Sequence, residues 1–307
     1  MTGRVDQLSD EFAVATQGLS MRYRSQTALD GVDLRVPHGA VYLLVGENGA
    51  GKSTTMKVLL NLERPDSGRA EIFGLDPGWH GPRVRAQIGY IPEQHEQDYG
   101  WMTCGRLLDH VARHYPAWDR GYADHLIRIF DIQVARRVGT LSKGEARRLQ
   151  FVLALAHRPP LLLLDEPADG LDPVMRNRTL TLLSEHLADS PTTVMIATHH
   201  IAEVESLADH VGILRKGRLV AQMTRDEIRR TVVRYRVEVA DGWQPPPELR
   251  IVGTRRSRTG REVECTIFGE PEDTKARLNG GGATVREVTP LTLEEAALAF
   301  LTEERHD

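Results

Sequence analysis

From position 12 to 45 apolar and polar residues alternate in short runs, VATQGLSMRY, GVDLRV and AVYLLVG. Turn chemistry separates them at Asp30-Gly31 and Pro37-His38-Gly39, so each run predicts a strand. The last run is apolar nearly throughout, the pattern of a strand covered on both faces. It leads straight into GENGAGKSTTMKVLLNL, where helical spacing begins near Lys52. GRAEIFG follows a Pro-Asp-Ser-Gly turn as a further strand, and residues 82–157 read mainly as helix, with amphipathic runs such as CGRLLDHVARHY and GYADHLIRIFDI. Alternation then returns: LLLLDEP predicts a buried strand, RNRTLTLLSEHLADS a helix, TTVMIATHH a strand, IAEVESLADH a helix, and VGILRKGRLVAQ a hairpin turning at Lys216-Gly217. Strands interleaved with helices imply a wound α/β core.

After Arg230 the character changes. YRVEVADGWQPPPELRIVGT and REVECTIFG read as strands around the loop Gln244-Pro245-Pro246-Pro247, EDTKARLNG as a short helix, and TVREVTPLTLEEAALAFLTEE as an ending in a longer helix capped at Thr292. The expected organisation is an α/β unit over 12–230 and a small α+β appendage over 231–307. With 307 residues, 40% of them hydrophobic and 27% charged, the chain can bury a full core. A net charge of −4 supplies no overall basic field for nucleic acid. Cys104 and Cys265 are too few and too far apart for a disulfide framework or a zinc site. No apolar run approaches the roughly 18–20 residues that cross a bilayer. The opening MTGRVDQLSDEF carries acids and no apolar centre, unlike a secretory signal. The expectation is a cytoplasmic chain that relies on another polypeptide for any spanning helices.

Gly46, Glu47, Asn48, Gly49, Ala50, Gly51, Lys52 and Ser53 satisfy G-x-x-x-x-G-K-S, with a buried strand before and a helix after. Glycines let backbone amides curl round phosphate oxygens, and the helix N-terminus adds unsatisfied N–H groups and a favourable dipole. Lys52 offers a point charge to the β- and γ-phosphates, the Ser53 hydroxyl is placed for Mg²⁺, and Thr54 continues the site. LLLLDE ends an apolar strand in two carboxylates: Asp165 can hold Mg²⁺ through water, and Glu166, pointing the other way, can polarise a water as general base. At the end of TTVMIATH, His199 rather than its neighbour His200 is the candidate to contact the γ-phosphate.

With these motifs in order, the sequence from about 12 to 227 resembles the ATP-binding cassette (ABC) ATPase family. Leu141-Ser142-Lys143-Gly144-Glu145 is similar to the family signature LSGGQ; Ser142 and Gly144 are retained, whereas Lys143 and Glu145 depart from the commonest form. The resemblance implies that residues 142–144 contact the γ-phosphate of ATP held by an opposing subunit. It also implies that Tyr23 stacks on adenine and that Gly170-Leu171-Asp172 is a D-loop coupling two sites, with Asp169 where small serine or alanine is common. IGYIPEQHE resembles the Q-loop, which links metal and attacking water to a membrane partner. Glu93 takes the usual glutamine position and Gln94 follows, and either can be the residue that faces the metal. The helical segment and TPLTLEEAALAFL resemble those of bacterial drug, antibiotic or lipid exporters.

The fold implied is a P-loop NTPase core with an antiparallel β subdomain, a helical subdomain over about 82–157 and the appendage. The function implied is ATP- and Mg²⁺-dependent hydrolysis that powers a membrane transporter, most simply an exporter. The partners would be a second copy arranged head to tail and a multi-spanning subunit holding the chain at the cytosolic face, with no nucleic acid. The competing reading is a soluble cassette acting on nucleic acid or ribosomes. Against it stand the single P-loop and the 90 positions between Lys52 and Ser142, which carry no sustained heptads. A binding regulator without turnover conflicts with the intact Glu166. The arginines of TRRSRTGRE (Arg255, Arg256, Arg258, Arg261) read as a solvated hairpin turn.

Overall fold

In a computed structural model the described residues are 11–24, 26–94, 99–257 and 260–302. The segment 1–10, Arg258 and residues 95–98 of the Q-loop-like stretch lie outside them. The chain opens on an antiparallel sheet in which β1 (Phe12–Tyr23) pairs with β2 (Gln26–Val32) and β3 (Arg35–Pro37). β4 (Val41–Val45) enters a second sheet and hands over to α1 (Lys52–Leu59), after which β5 (Ser67–Ile72) returns to β1. α2 (Pro77–Arg85) leads to β6 (Ile88–Ile91). α3 (Cys104–Ala112) and α4 (Arg120–Ile129) are started by side-chain caps from Thr103 and Asp119, and α5 (Lys143–Leu155) by Ser142. There follow β7 (Leu161–Asp165), α6 (Pro173–Asp189), β8 (Thr193–Thr198), the single turn α7 (Ile201–Val204), β9 (His210–Arg215), β10 (Arg218–Thr224) and α8 (Arg225–Thr231).

The central sheet runs β10-β9-β4-β8-β7-β6, parallel except for β10. Both faces are covered, and the period of two sorts the side chains. Val41, Leu43 and Val45 join the layer of α5 and α6, while Tyr42 and Leu44 join the layer of α1 and the antiparallel sheet. Because β8 lies between β4 and β7, the P-loop, Asp165-Glu166 and His199 all emerge at the carboxyl ends of neighbouring strands, where open α/β sheets bind ligands. The β9–β10 hairpin turns on Lys216 and Gly217, both at positive φ.

Within the mainly helical stretch 82–157 lies one strand that the sequence reading did not single out, Ile88–Ile91, the edge of the central sheet, four residues too short to show a period. One expectation is corrected: IAEVESLADH is not one helix, since α7 gives way to a 3₁₀ turn at Glu205–Leu207. There the Glu205 carboxylate accepts the Leu293 N–H of the tail at 3.0 Å, a tertiary contact that local propensity cannot register.

In the tail, β11 (Val232–Glu238), β12 (Arg250–Arg256), β13 (Glu262–Phe268) and β14 (Thr284–Pro290) form an antiparallel sheet ordered β12-β13-β11-β14. Tyr235, Val237, Cys265 and Ile267 pack with Leu278 of α9 (Pro271–Gly280) in a small core of their own. α10 (Leu293–Thr302) does something else. Thr292 caps it by accepting the Glu295 N–H at 3.2 Å, and Leu293, Ala296, Ala297 and Phe300 insert into the cluster that holds Val211 and Ile213 of β9. The appendage is thereby stapled into the main core. Arg255 and Arg261 are exposed on the β12–β13 hairpin, and Arg256 donates to the Trp243 carbonyl at 2.8 Å.

Candidate active site

The P-loop owes its shape to packing as much as to φ. At Gly51, with φ +109°, an added Cβ would lie 2.5 Å from the Ala28 carbonyl oxygen and 2.8 Å from Leu29 Cδ2, so no other residue fits. The loop delivers Lys52, 6% exposed, as the first residue of α1. Its ammonium donates to the carbonyls of Gly46 at 2.8 Å and Glu47 at 3.2 Å and lies 3.7 Å from Glu166 Oε1. A cleft of about 240 Å³ opens here, lined by Tyr23, Asn48, Gly49, Gly51, Lys52, Ser53, Thr54, Glu93 and Glu166 together with Gln26 and Ala28. Gly46, Glu47 and Ala50 complete the loop behind it. Tyr23 is 40% exposed at the rim. Gln26 and Ala28 escaped sequence reasoning; the signal was the β1–β2 hairpin, whose register sets Gln26 opposite Tyr23.

Glu166 is the most constrained group in the cleft. Its φ is +47°, costly for a residue with a Cβ. Its carboxylate accepts from Thr198 Oγ1 at 2.9 Å, from the His199 N–H at 3.0 Å and from His199 Nδ1 at 2.7 Å. It lies beside Lys52, 3.7 Å from its ammonium. His199 is thus tied to Glu166, and its ring packs on His200 at 3.8 Å between centroids.

Asp165 sits just beneath, 1% exposed, with Oδ1 lacking any hydrogen-bond partner among the described residues. Burial pushes its pKa up to about 6; a hydrogen bond from Ser53 and the Lys52 charge act the other way, while Glu93 and Glu166 add to the rise. A buried carboxylate oxygen without a donor, beside the Ser53 hydroxyl and with Glu93 Oε2 3.5 Å from that hydroxyl, is an all-oxygen set suited to a hard divalent cation such as Mg²⁺. Glu93 lines this cleft and also a neighbouring one that it shares with Gln94, Leu141, Lys143, Arg147 and Asp169, whereas Gln94 is not among the residues lining the first.

Ser142, Lys143 and Gly144 contribute nothing to this chain's own cleft. Ser142 caps α5 in a capping box, accepting from the Glu145 N–H at 3.3 Å, and both Ser142 and Lys143 are exposed. The Glu145 carboxylate also accepts from Arg136. One turn on, Arg147 is 3% exposed and donates to the carbonyls of Pro92 at 2.6 Å, Glu93 at 2.8 Å and Asp169 at 3.4 Å.

The profile of the ABC transporter family matches residues 29–169, the span from β2 through the P-loop and signature to Asp169. The daunorubicin/doxorubicin resistance ATP-binding protein DrrA of Streptomyces peucetius is 37% identical over 221 residues, 71% of this chain and 67% of the relative. The chain belongs to the ABC transporter family. As a cassette of that family it is an ATPase, the nucleotide-binding subunit that powers a transporter. The Nod factor export ATP-binding protein I of Burkholderia thailandensis aligns over 95% of this cassette and 97% of its own length at 29% identity, so that likeness extends into the tail. Among solved structures, one described as the ATP binding subunit of an ABC transporter superposes with a TM-score of 0.65 at 31% identity, covering 71% of the cassette and 92% of that chain.

Proposed function

We propose that two copies of the cassette face each other head to tail, hydrolyse ATP with Mg²⁺ in two shared clefts, and drive export through a membrane subunit. The observation that carries this reading is the incompleteness of the cleft. Lys52, Ser53, Glu93 and Glu166 converge on one side of the phosphate position, whereas Ser142, exposed, and Gly144, half-buried, stand at the start of α5, outside the cleft of their own chain. Cassettes of this family dimerise, and their exporters work with membrane subunits. Among the described residues no helix is long and apolar enough to cross a membrane; the spanning role in this reading belongs to a partner. Export is supported by what the relatives do by name, daunorubicin/doxorubicin resistance and Nod factor export.

In this reading the P-loop amides and Lys52 hold the β- and γ-phosphates, and Tyr23 packs on the base. Asp165, Ser53 and Glu93 would hold Mg²⁺, which supplies positive charge to the phosphate oxygens. Glu166 takes a proton from the attacking water. His199, with Nδ1 2.7 Å from Glu166 Oε1, fixes the orientation of that carboxylate. The twin's Ser142 and Gly144 close the other side, and its α5 N-terminus adds a favourable dipole. Loss of the γ-phosphate removes the bridging contacts, and the dimer opens because ATP favours the closed form. The test is affinity purification from mildly solubilised membranes. A multi-spanning protein co-purifies and stimulates ATP hydrolysis; recovery of the cassette alone, from membranes that still contain its transporter, overturns the assignment.

A further inference from the structure

We propose that Lys143 and Asp169 are positioning residues, an ion pair that clips the signature helix to the D-loop and carries the state of one nucleotide site to the other. The proposal rests on the shared-site reading above. Lys143 Nζ donates to Asp169 Oδ2 at 2.7 Å, and the contact extends beyond the charges. The lysine stem lies across Gly170: a Cβ there would meet Lys143 Cγ at 2.9 Å and Cδ at 3.0 Å, and one on Gly144 would meet the Gly170 carbonyl oxygen at 2.7 Å. The start of α5 and the D-loop are therefore in van der Waals contact as well as ion-paired. Lys143, one of the two departures in the signature, is thus the partner of Asp169, the departure in the D-loop.

The D-loop is short and leaves Glu166 directly, with the Asp169 N–H bonded to the Glu166 carbonyl at 3.1 Å. A shift of the first turn of α5 thus reaches the candidate base of the same chain within three residues. Arg147 gives the clip a second arm. Buried on the same helix face, four residues along, it holds the carbonyls of Pro92 and Glu93 as well as that of Asp169. One helical turn therefore grips the loop that brings Glu93 into its own cleft and the D-loop that follows Glu166, while its end, Ser142 to Gly144, is the part offered to the twin. ATP arriving in the twin's cleft engages that end; the clip transmits the displacement to Glu166 and Glu93 of the chain that lent it. Binding at one site then biases the other, and the ion pair sets how strongly.

The pair suits a test because it is open to solvent, with Lys143 and Asp169 side chains 61% and 44% exposed. Exposed pairs contribute little to folding, so breaking this one changes coupling and leaves the urea midpoint in place. The rate of ATP hydrolysis is measured against ATP concentration, at a protein concentration that keeps the cassette dimeric, for the wild type, Lys143→Gln, Asp169→Ser and the exchange Lys143→Asp with Asp169→Lys. The expected result is a Hill coefficient above 1 for the wild type, a fall to 1 in each single variant with an unchanged urea midpoint, and recovery in the exchange. Single variants that keep the wild-type coefficient, or an exchange that stays at 1, overturn the clip. A wild type that is itself non-cooperative and equally active at every dilution refutes the shared site instead, and the clip with it.

Discussion

Replacing Glu166 with glutamine removes one negative charge and the candidate base beside Lys52 while keeping the side chain's shape. The structure says what remains. The amide oxygen can still accept the His199 N–H and Nδ1–H now bonded to Oε1, while the amide nitrogen faces Thr198 Oγ1, which must turn to accept. That rearrangement costs at most about 1–3 kcal/mol of stability, the penalty of one compromised buried hydrogen bond. Loss of the base is larger in its effect on rate. General base catalysis contributes about 10²–10⁴-fold, equivalent to about 3–5 kcal/mol of barrier. ATP affinity should hold or rise, because Lys52, 3.7 Å from the carboxylate, no longer shares its charge with a neighbour. Phosphate release is followed at saturating ATP and Mg²⁺, with calorimetry on the same preparation. A fall of at least about 100-fold in turnover with undiminished ATP binding is expected. Turnover within a few-fold of the wild type would remove Glu166 from the mechanism.

Lys52→Ala deletes the charge-assisted contacts to phosphate and should weaken ATP binding roughly 10–100-fold; equal affinity by calorimetry contradicts the phosphate role of the loop. Phe300→Ala opens a cavity where α10 enters the main core, and urea unfolding should report a loss of about 3–5 kcal/mol. A loss below 1 kcal/mol would mean that the tail is not stapled there. His157 is 3% exposed, and burial pushes its pKa down to about 4, so the unfolded chain takes up its proton near pH 6.5 before the folded chain does. Its contribution to stability is present above pH 6.5 and is lost as pH falls toward 4, about 2 kcal/mol between pH 7 and 5. His157→Gln should flatten that part of the pH–stability curve, and a profile as steep as the wild type's rules the residue out.

How much was legible in the sequence follows from how local each feature is. The P-loop and LLLLDE could be read because strand, turn and helix are contiguous and each carries its own chemistry. What sequence could not supply were contacts between segments far apart. Lys143 meets Asp169 across 26 positions, and His199 meets Glu166 across 33. The neighbours Glu93 and Gln94 have similar chemistry, and only the path of the loop turns Glu93 to Ser53 and leaves Gln94 off the lining of the phosphate cleft. Leu293, Ala296, Ala297 and Phe300 show helical spacing in the sequence, but the spacing says nothing of the β9 surface they cover. Edge strand β6 was hidden for the opposite reason: four apolar residues have no period to detect.

The central claim is that each cleft is completed by residues 142–144 of another copy, and the measurement that reaches it most directly is specific ATPase activity as a function of protein concentration, with sedimentation on the same samples. The account predicts activity that falls on dilution in step with the loss of dimer, and a Ser142→Arg variant that neither dimerises with ATP nor turns over. Constant activity per chain in samples that sediment as single copies would contradict it.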